Sequence, residues 1–131
     1  MKILSIIFFS TMISFFVNAQ SDSLPTSGII TSGKWHLATL SAMNKTVRFK
    51  LKDFNINWVI FNKNGSLEAM ESGEKYSGKW TYDKEKNTIE TRDRDGITLM
   101  QIINISQSLL TVEITEKGGG ITHVEWKKVY K

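Results

Sequence analysis

The sequence predicts an all-β domain: eight short antiparallel strands in up-and-down order, closed into a barrel and preceded by a cleaved signal peptide. Three observations carry this expectation. Apolar and polar residues alternate with period two through most of the chain beyond residue 33. Tight-turn residues separate the alternating stretches, as in Asn62-Lys63-Asn64-Gly65, Asp95-Gly96 and Gly118-Gly119-Gly120. The string Ser-Gly-Lys-Trp also occurs twice, as Ser32 to Trp35 and Ser77 to Trp80, each time opening an alternating stretch. Gly33 and Gly78 would let a neighbouring backbone come close, while Trp35 and Trp80 on the same strands would cap one barrel end. Eight hairpin-linked strands leave an edge at each side of the sheet, and closure removes both.

The 131 residues leave room for one domain. Met1-Lys2 and the apolar run from Ile3 to Val17, followed by small residues up to Ala19, read as a secretory signal peptide over 1–19, cut after Ala19. The run is short for a membrane span, and the mature chain is expected in the periplasm or outside the cell. Residues 20–32 read as a flexible leader whose end tucks against the barrel, and 33–131 as the barrel itself. The chain has no Cys, so a core must hold an exported domain of about 112 residues without disulfides. Its net charge of +4 is spread among acids, as in Arg92-Asp93-Arg94-Asp95, with no basic stripe for nucleic acid.

Taken in order, Trp35, Leu37 and Thr39 are expected to face inward from the first strand, against Lys34 and His36. Val47, Phe49 and Leu51 follow on a second strand, then Phe54, Ile56, Trp58 and Ile60 on a third, with Val59 and Phe61 outward. Beyond a weaker strand through Leu67 and Ala69, Tyr76, Gly78, Trp80 and Tyr82 share a face. Residues 88–92 make a short polar strand. Ile97 to Ile105 is apolar on both sides: Leu99, Gln101 and Ile103 are expected inside, Met100 and Ile102 outside. Leu110, Val112 and Ile114 point inward from the next strand, and Ile121 to Tyr130 closes the sheet.

Gly33-Lys34-Trp35-His36-Leu37 at the head of such a meander resembles the first strand of the lipocalin superfamily. Together with Phe61-Asn62-Lys63-Asn64-Gly65 and Gly78-Lys79-Trp80-Thr81-Tyr82, it is similar to the small lipocalin-like domain proteins exported by Bacteroidetes-type bacteria. That resemblance implies a small apolar molecule bound inside the barrel. One departure lies beyond the last strand, where lipocalins often pack an Arg over the first-strand Trp and this chain offers only Lys127 or Lys128 nearby. The chain departs from larger lipocalins in the short connection after its first strand.

The interior aromatic set, with Gln101 as a polar group among apolar neighbours, is what a small-molecule site would use. Phe49, Trp58, Tyr76, Tyr82 and Gln101 are the candidate ligand-binding residues, and Gly33, Trp35, Gly78 and Trp80 the structural signature. Two states of the interior, an open cavity or a filled core, fit the same residues. In the second, an outer apolar patch of Val59, Phe61, Met100 and Ile102 would bind a protein partner or a second copy, as an inhibitor or immunity-type protein does. No catalytic constellation is present: there is no Cys and no Gly-x-Ser-x-Gly elbow. His36, His123 and Glu125 lie on strands that would pair, but alternation turns them outward, and no metal or other cofactor is expected. Asp93 and Asp95 read as charged turn residues.

Overall fold

The structure, a computed structural model, describes residues 25–128. The expected signal peptide and the first part of the leader lie outside these residues, as do the last three residues of the chain. Nine strands form one sheet: β1 (Lys34–Ala42), β2 (Lys45–Arg48), β3 (Asn57–Phe61), β4 (Ser66–Glu71), β5 (Glu74–Asp83), β6 (Thr88–Asp93), β7 (Gly96–Ile105), β8 (Leu109–Thr115) and β9 (Ile121–Lys127). β1 and β3 to β9 follow one another as antiparallel neighbours, and β9 returns to β1. The result is a closed eight-stranded up-and-down barrel with β2 as an extra strand. β2 takes the edge of β1 beyond the point where β3 leaves it, pairing Thr39 with Arg48 through Ala42 with Lys45.

Two helical pieces interrupt the expected run of strands. Helix α1 (Thr26–Ile30) is the end of the leader, and it closes one barrel end with Ile30, which is fully buried. A 3-10 helix over Leu51–Ile56 replaces the end of the expected second strand and the start of the third. It packs on the outside of the barrel, which shifts the inside/outside alternation of everything between Val47 and Phe61.

Four expectations about facing change as a result. Trp35 pairs with Val59, and paired residues share a face, so Val59 and Phe61 point into the core. Trp58 pairs with outward-facing His36 and is itself turned out. Its indole is buried beneath the 3-10 helix: Nε1–H donates to the Asn55 carbonyl at 3.2 Å, and the Lys34 ammonium lies 4.3 Å from the ring centre. Phe54 stacks on His36 in the same external cluster, with ring centres 5.5 Å apart. Val47 is 53% exposed, because β2 stands at the rim with nothing packed opposite it.

The alternation of β7 is inverted. β6 has an unambiguous outer face in Glu90 and Arg92. Its pairing with β7 sets Ile89 opposite Met100 and Thr91 opposite Thr98, so Met100 and Ile102 are buried. Ile97, Leu99 and Ile103 are exposed instead, and Gln101 lies outside among them. The outer patch of Val59, Phe61, Met100 and Ile102 therefore does not exist. Two bulges adjust the pattern further. One, between Glu125 and Trp126 opposite Ala38, puts Leu37 and Leu40 inside and turns Thr39 out to donate to Glu125 Oε1. The other interrupts the β7–β8 pairing at Ile103.

The two Gly-Lys-Trp segments meet at the closed end. Trp35 Nε1–H donates to the Ile30 carbonyl at 3.0 Å, and Trp80 Nε1–H to the Asn62 carbonyl at 2.8 Å. Phe61 meets Trp80 edge-on, 5.3 Å between ring centres. Leu110, Val112, Ile89 and Val124 complete the core above them. Lys128 is the basic residue over the first-strand Trp: its ammonium lies 4.4 Å from the Trp35 ring centre and donates to the Ile29 carbonyl and to Ser32 Oγ.

Candidate functional site

Above this packed floor the barrel is not filled. A cavity of about 280 Å³ occupies the half toward the hairpins 71–74 and 93–96. All eight barrel strands line it. Leu37 and Leu40 come from β1, Val59 and Phe61 from β3, Leu67 and Ala69 from β4, with Met100, Ile114, Val124 and Trp126 opposite. The small side chain of Ala69, facing Tyr76 across the β4–β5 pair, is one reason that space stays open.

The polar lining is concentrated toward the mouth. Tyr76 from β5, Thr91 and Asp93 from β6, Thr98 from β7, Glu71 at the end of β4 and Asn57 at the start of β3 border the cavity there. The Asn57 amide is engaged: Nδ2–H donates to the Asp53 carbonyl at 3.4 Å, and Oδ1 accepts from the Ser72 N–H at 3.0 Å. Asp93 Oδ1 accepts from the Asp95 N–H at 2.8 Å, which fixes the turn into β7. Gly96, at φ +117°, completes that turn in a conformation side chains rarely adopt. Burial pushes the Tyr76 hydroxyl above the usual phenol range, and the negative charges of Glu71, Asp93 and Asp95 push it the same way. Arg94 stands outside the cavity, its guanidinium 5.7 Å from the Tyr76 ring and paired with Glu74 at 3.2 Å.

Of the sequence-derived site residues, Tyr76 lines the cavity. The chain at Trp58 borders the cavity, but its ring lies in the external cluster. Phe49 is half-buried just beyond β2, its N–H bonded to the Ala38 carbonyl, and does not line the cavity. Tyr82 faces inward at the closed end, where its hydroxyl donates to Asn87 Oδ1 at 3.2 Å, outside the cavity wall. Gln101 is exposed on the outer surface and donates to the Lys86 and Asn87 carbonyls, each at 3.1 Å. The structure thus does not bring Phe49, Trp58, Tyr76, Tyr82 and Gln101 together. Glu71, Thr91, Asp93 and Thr98 were not among the sequence candidates. Pairing β6 with β7 across the Asp95-Gly96 turn would have found Thr91, Thr98 and Met100.

The histidines are apart. His36 pairs with Lys127 and His123 with Ser41 along the β1–β9 ladder. His36 Nδ1–H donates to the Phe54 carbonyl, and His123 lies 3.6 Å from Glu113. No group of three or more metal-ligating side chains occurs among the described residues.

A closed eight-stranded meander with a helical plug, a Gly-Lys-Trp first strand and a basic residue over that Trp is a lipocalin-like barrel. A solved bacterial structure has the same fold. A DUF4847-family protein from Bacteroides vulgatus superposes with a TM-score of 0.60 at 11% identity, over 82% of this chain and 99% of that one. Bovine odorant-binding protein in complex with a selenium-containing odorant gives 0.49 at 14% identity, over 86% and 79%. Aphrodisin, a sex pheromone from the female hamster, gives 0.43 at 17% identity, over 75% and 74%. No protein-family model matches the sequence, and no curated protein matches it significantly.

Proposed function

We propose that this chain is an exported, non-enzymatic binding protein that holds a small, largely apolar molecule inside its barrel. The observation that carries the proposal is the cavity of about 280 Å³, apolar on its floor and walls and polar at its mouth. A cavity of about 150 Å³ is enough to hold benzene, so this one accommodates on the order of ten non-hydrogen atoms. Removing such a molecule from water supplies roughly 25 cal/mol per Å² of apolar surface, while the polar mouth fixes its orientation. Export rests on the signal peptide read over residues 1–19.

Two measurements test this reading. Mass spectrometry of the exported protein, native and then denatured, should give a chain cut after Ala19 and a small excess mass released on unfolding. Ala69→Leu should reduce uptake of an apolar probe such as 1-octanol at least tenfold while leaving the fold intact, because it places three further carbons in the cavity. Unchanged uptake by that variant would move the site away from the barrel interior.

A protein-binding role loses the four residues on which the sequence reading placed it. The exposed Ile97, Leu99 and Ile103 of β7 are the apolar outer surface that the structure offers in their place.

A further inference from the structure

The charged side chains that line the cavity, Glu71 and Asp93, are both acidic, although the chain as a whole carries a net charge of +4. Glu71 and Asp93 border the cavity, and Asp95 follows in the same hairpin as Asp93. None of these three carboxylates has an ion-pair partner among the described residues, since Arg94 is taken by Glu74. No Lys or Arg lines the cavity.

A second observation lies deeper. The Thr91 side chain borders the cavity and is only 8% exposed, yet its hydroxyl has no hydrogen-bond partner among the described residues. Thr98 stands directly across the β6–β7 pair and also borders the cavity. Buried hydroxyls are normally satisfied, so an unpartnered one facing an open space marks where a ligand's polar group would sit. The groups around that space are the carboxylates of Glu71 and Asp93, which only accept hydrogen bonds, and the hydroxyls of Thr91, Thr98 and Tyr76, which accept as well as donate. The one amide at the rim, that of Asn57, is already engaged on both its atoms.

From this arrangement we infer that the ligand is a cationic amphiphile: an alkyl or arylalkyl amine whose apolar body fills the cavity and whose ammonium group lies among Thr91, Asp93, Tyr76 and Glu71. The inference rests on the proposed ligand-binding role and narrows it to one chemical class. An ammonium group donates up to three hydrogen bonds and carries the charge that two carboxylates attract, and the hydroxyls of Thr91, Thr98 and Tyr76 can each turn a lone pair toward it. A carboxylate of the same length would face Glu71 and Asp93 as a like charge well inside the screening length of physiological salt. The Arg94 guanidinium acts on Tyr76, Asp93 and Asp95 as well as on Glu74, but one guanidinium against the carboxylates of Glu71, Glu74, Asp93 and Asp95 does not reverse this sign.

Isothermal titration with three probes that share one tail tests the inference: octylammonium, 1-octanol and octanoate. Octylammonium should bind at least tenfold more tightly than 1-octanol, and octanoate more weakly than either. The double variant Glu71→Gln/Asp93→Asn should erase the advantage of octylammonium over 1-octanol. Asn at 93 keeps an oxygen for the Asp95 N–H, so the turn is retained. Thr91→Val should weaken octylammonium a further three- to tenfold. Equal binding of octylammonium and 1-octanol, or a preference for octanoate, would overturn the amine while leaving the apolar cavity in place. Failure of all three probes to bind would overturn both.

Discussion

The two Ser-Gly-Lys-Trp segments look alike in sequence but ask different things of their glycines. At Gly78 a Cβ would lie 2.2 Å from the Arg92 carbonyl oxygen, where real Cβ atoms keep at least 3.0 Å, and 3.1 Å from the Asp93 Cβ. The obstructing oxygen is backbone and cannot swing aside. At Gly33 the nearest atom is the flexible end of Lys128 at 3.9 Å, an ordinary contact. Gly78→Ala must therefore push β6 away from β5 by nearly an ångström beside Thr91 and Asp93. Overpacking of that kind costs about 3 kcal/mol, the upper end of the usual range. For a domain near 100 residues each kcal/mol lowers Tm by roughly 4–8 °C, so Gly78→Ala should melt at least about 12 °C below the parent. Gly33→Ala should stay within about 0.5 kcal/mol of it. Thermal unfolding followed by tryptophan fluorescence and by circular dichroism reads both. Equal Tm values for the two variants would refute the close approach of β5 and β6 at Gly78.

Other consequences are checked with the same tools. Lys128→Met removes the cation over Trp35 and the bond to the Ile29 carbonyl, and should cost about 1 kcal/mol in urea unfolding without altering probe binding. Trp58→Phe loses the Asn55 bond and part of the external cluster. It should cost about 1–2 kcal/mol and leave 1-octanol affinity unchanged, which separates an outer from an inner position for this ring. Tyr76 has a folded pKa above its unfolded value of 10.0, so its protonated form contributes stability below that pH. That contribution should disappear as pH rises from the unfolded value through the folded one, and Tyr76→Phe should flatten this part of the unfolding profile. A ligand that fills the cavity should stabilise the fold by about 2.7 kcal/mol at a hundred times its Kd. A saturated complex with an unshifted Tm would count against binding in the interior.

Architecture was more legible in the sequence than facing. Hairpin turns and alternation place the barrel strands in order, together with the Val47 stretch that the structure sets beside the barrel as β2, and the doubled Gly-Lys-Trp marks the closed end. On β5, Tyr76, Gly78, Trp80 and Tyr82 share the inner face as the alternation states, because Lys79 and Thr81 leave no choice. On β7 the choice is real. Ile97 to Ile105 is apolar on both faces, and only its register with β6 selects Met100 and Ile102 for the core. Between Phe54 and Ile60 the alternation runs across a 3-10 helix into a strand, and parity does not survive that boundary. The acidic mouth was hidden for another reason: Asp93 read as a charged turn residue, Glu71 carried no signal, and two hairpins that open at the same end bring both to the rim.

The packed floor and the proposed binding site fall at opposite ends of the barrel. At the closed end both buried indole N–H groups are bonded to backbone carbonyls, and α1 and Lys128 cover Trp35, so little there is left unsatisfied. The open half carries the costs. An unpartnered buried hydroxyl such as that of Thr91 costs about 1–3 kcal/mol. Empty space costs on the order of 24 cal/mol per Å³, several kcal/mol for a cavity of this size. Carboxylates gathered at one rim add mutual repulsion. The packed floor is what lets the chain tolerate these terms. A group that satisfies Thr91, neutralises Glu71 and Asp93 and fills the space would relieve all three at once, and an amine with an apolar tail has that combination of properties.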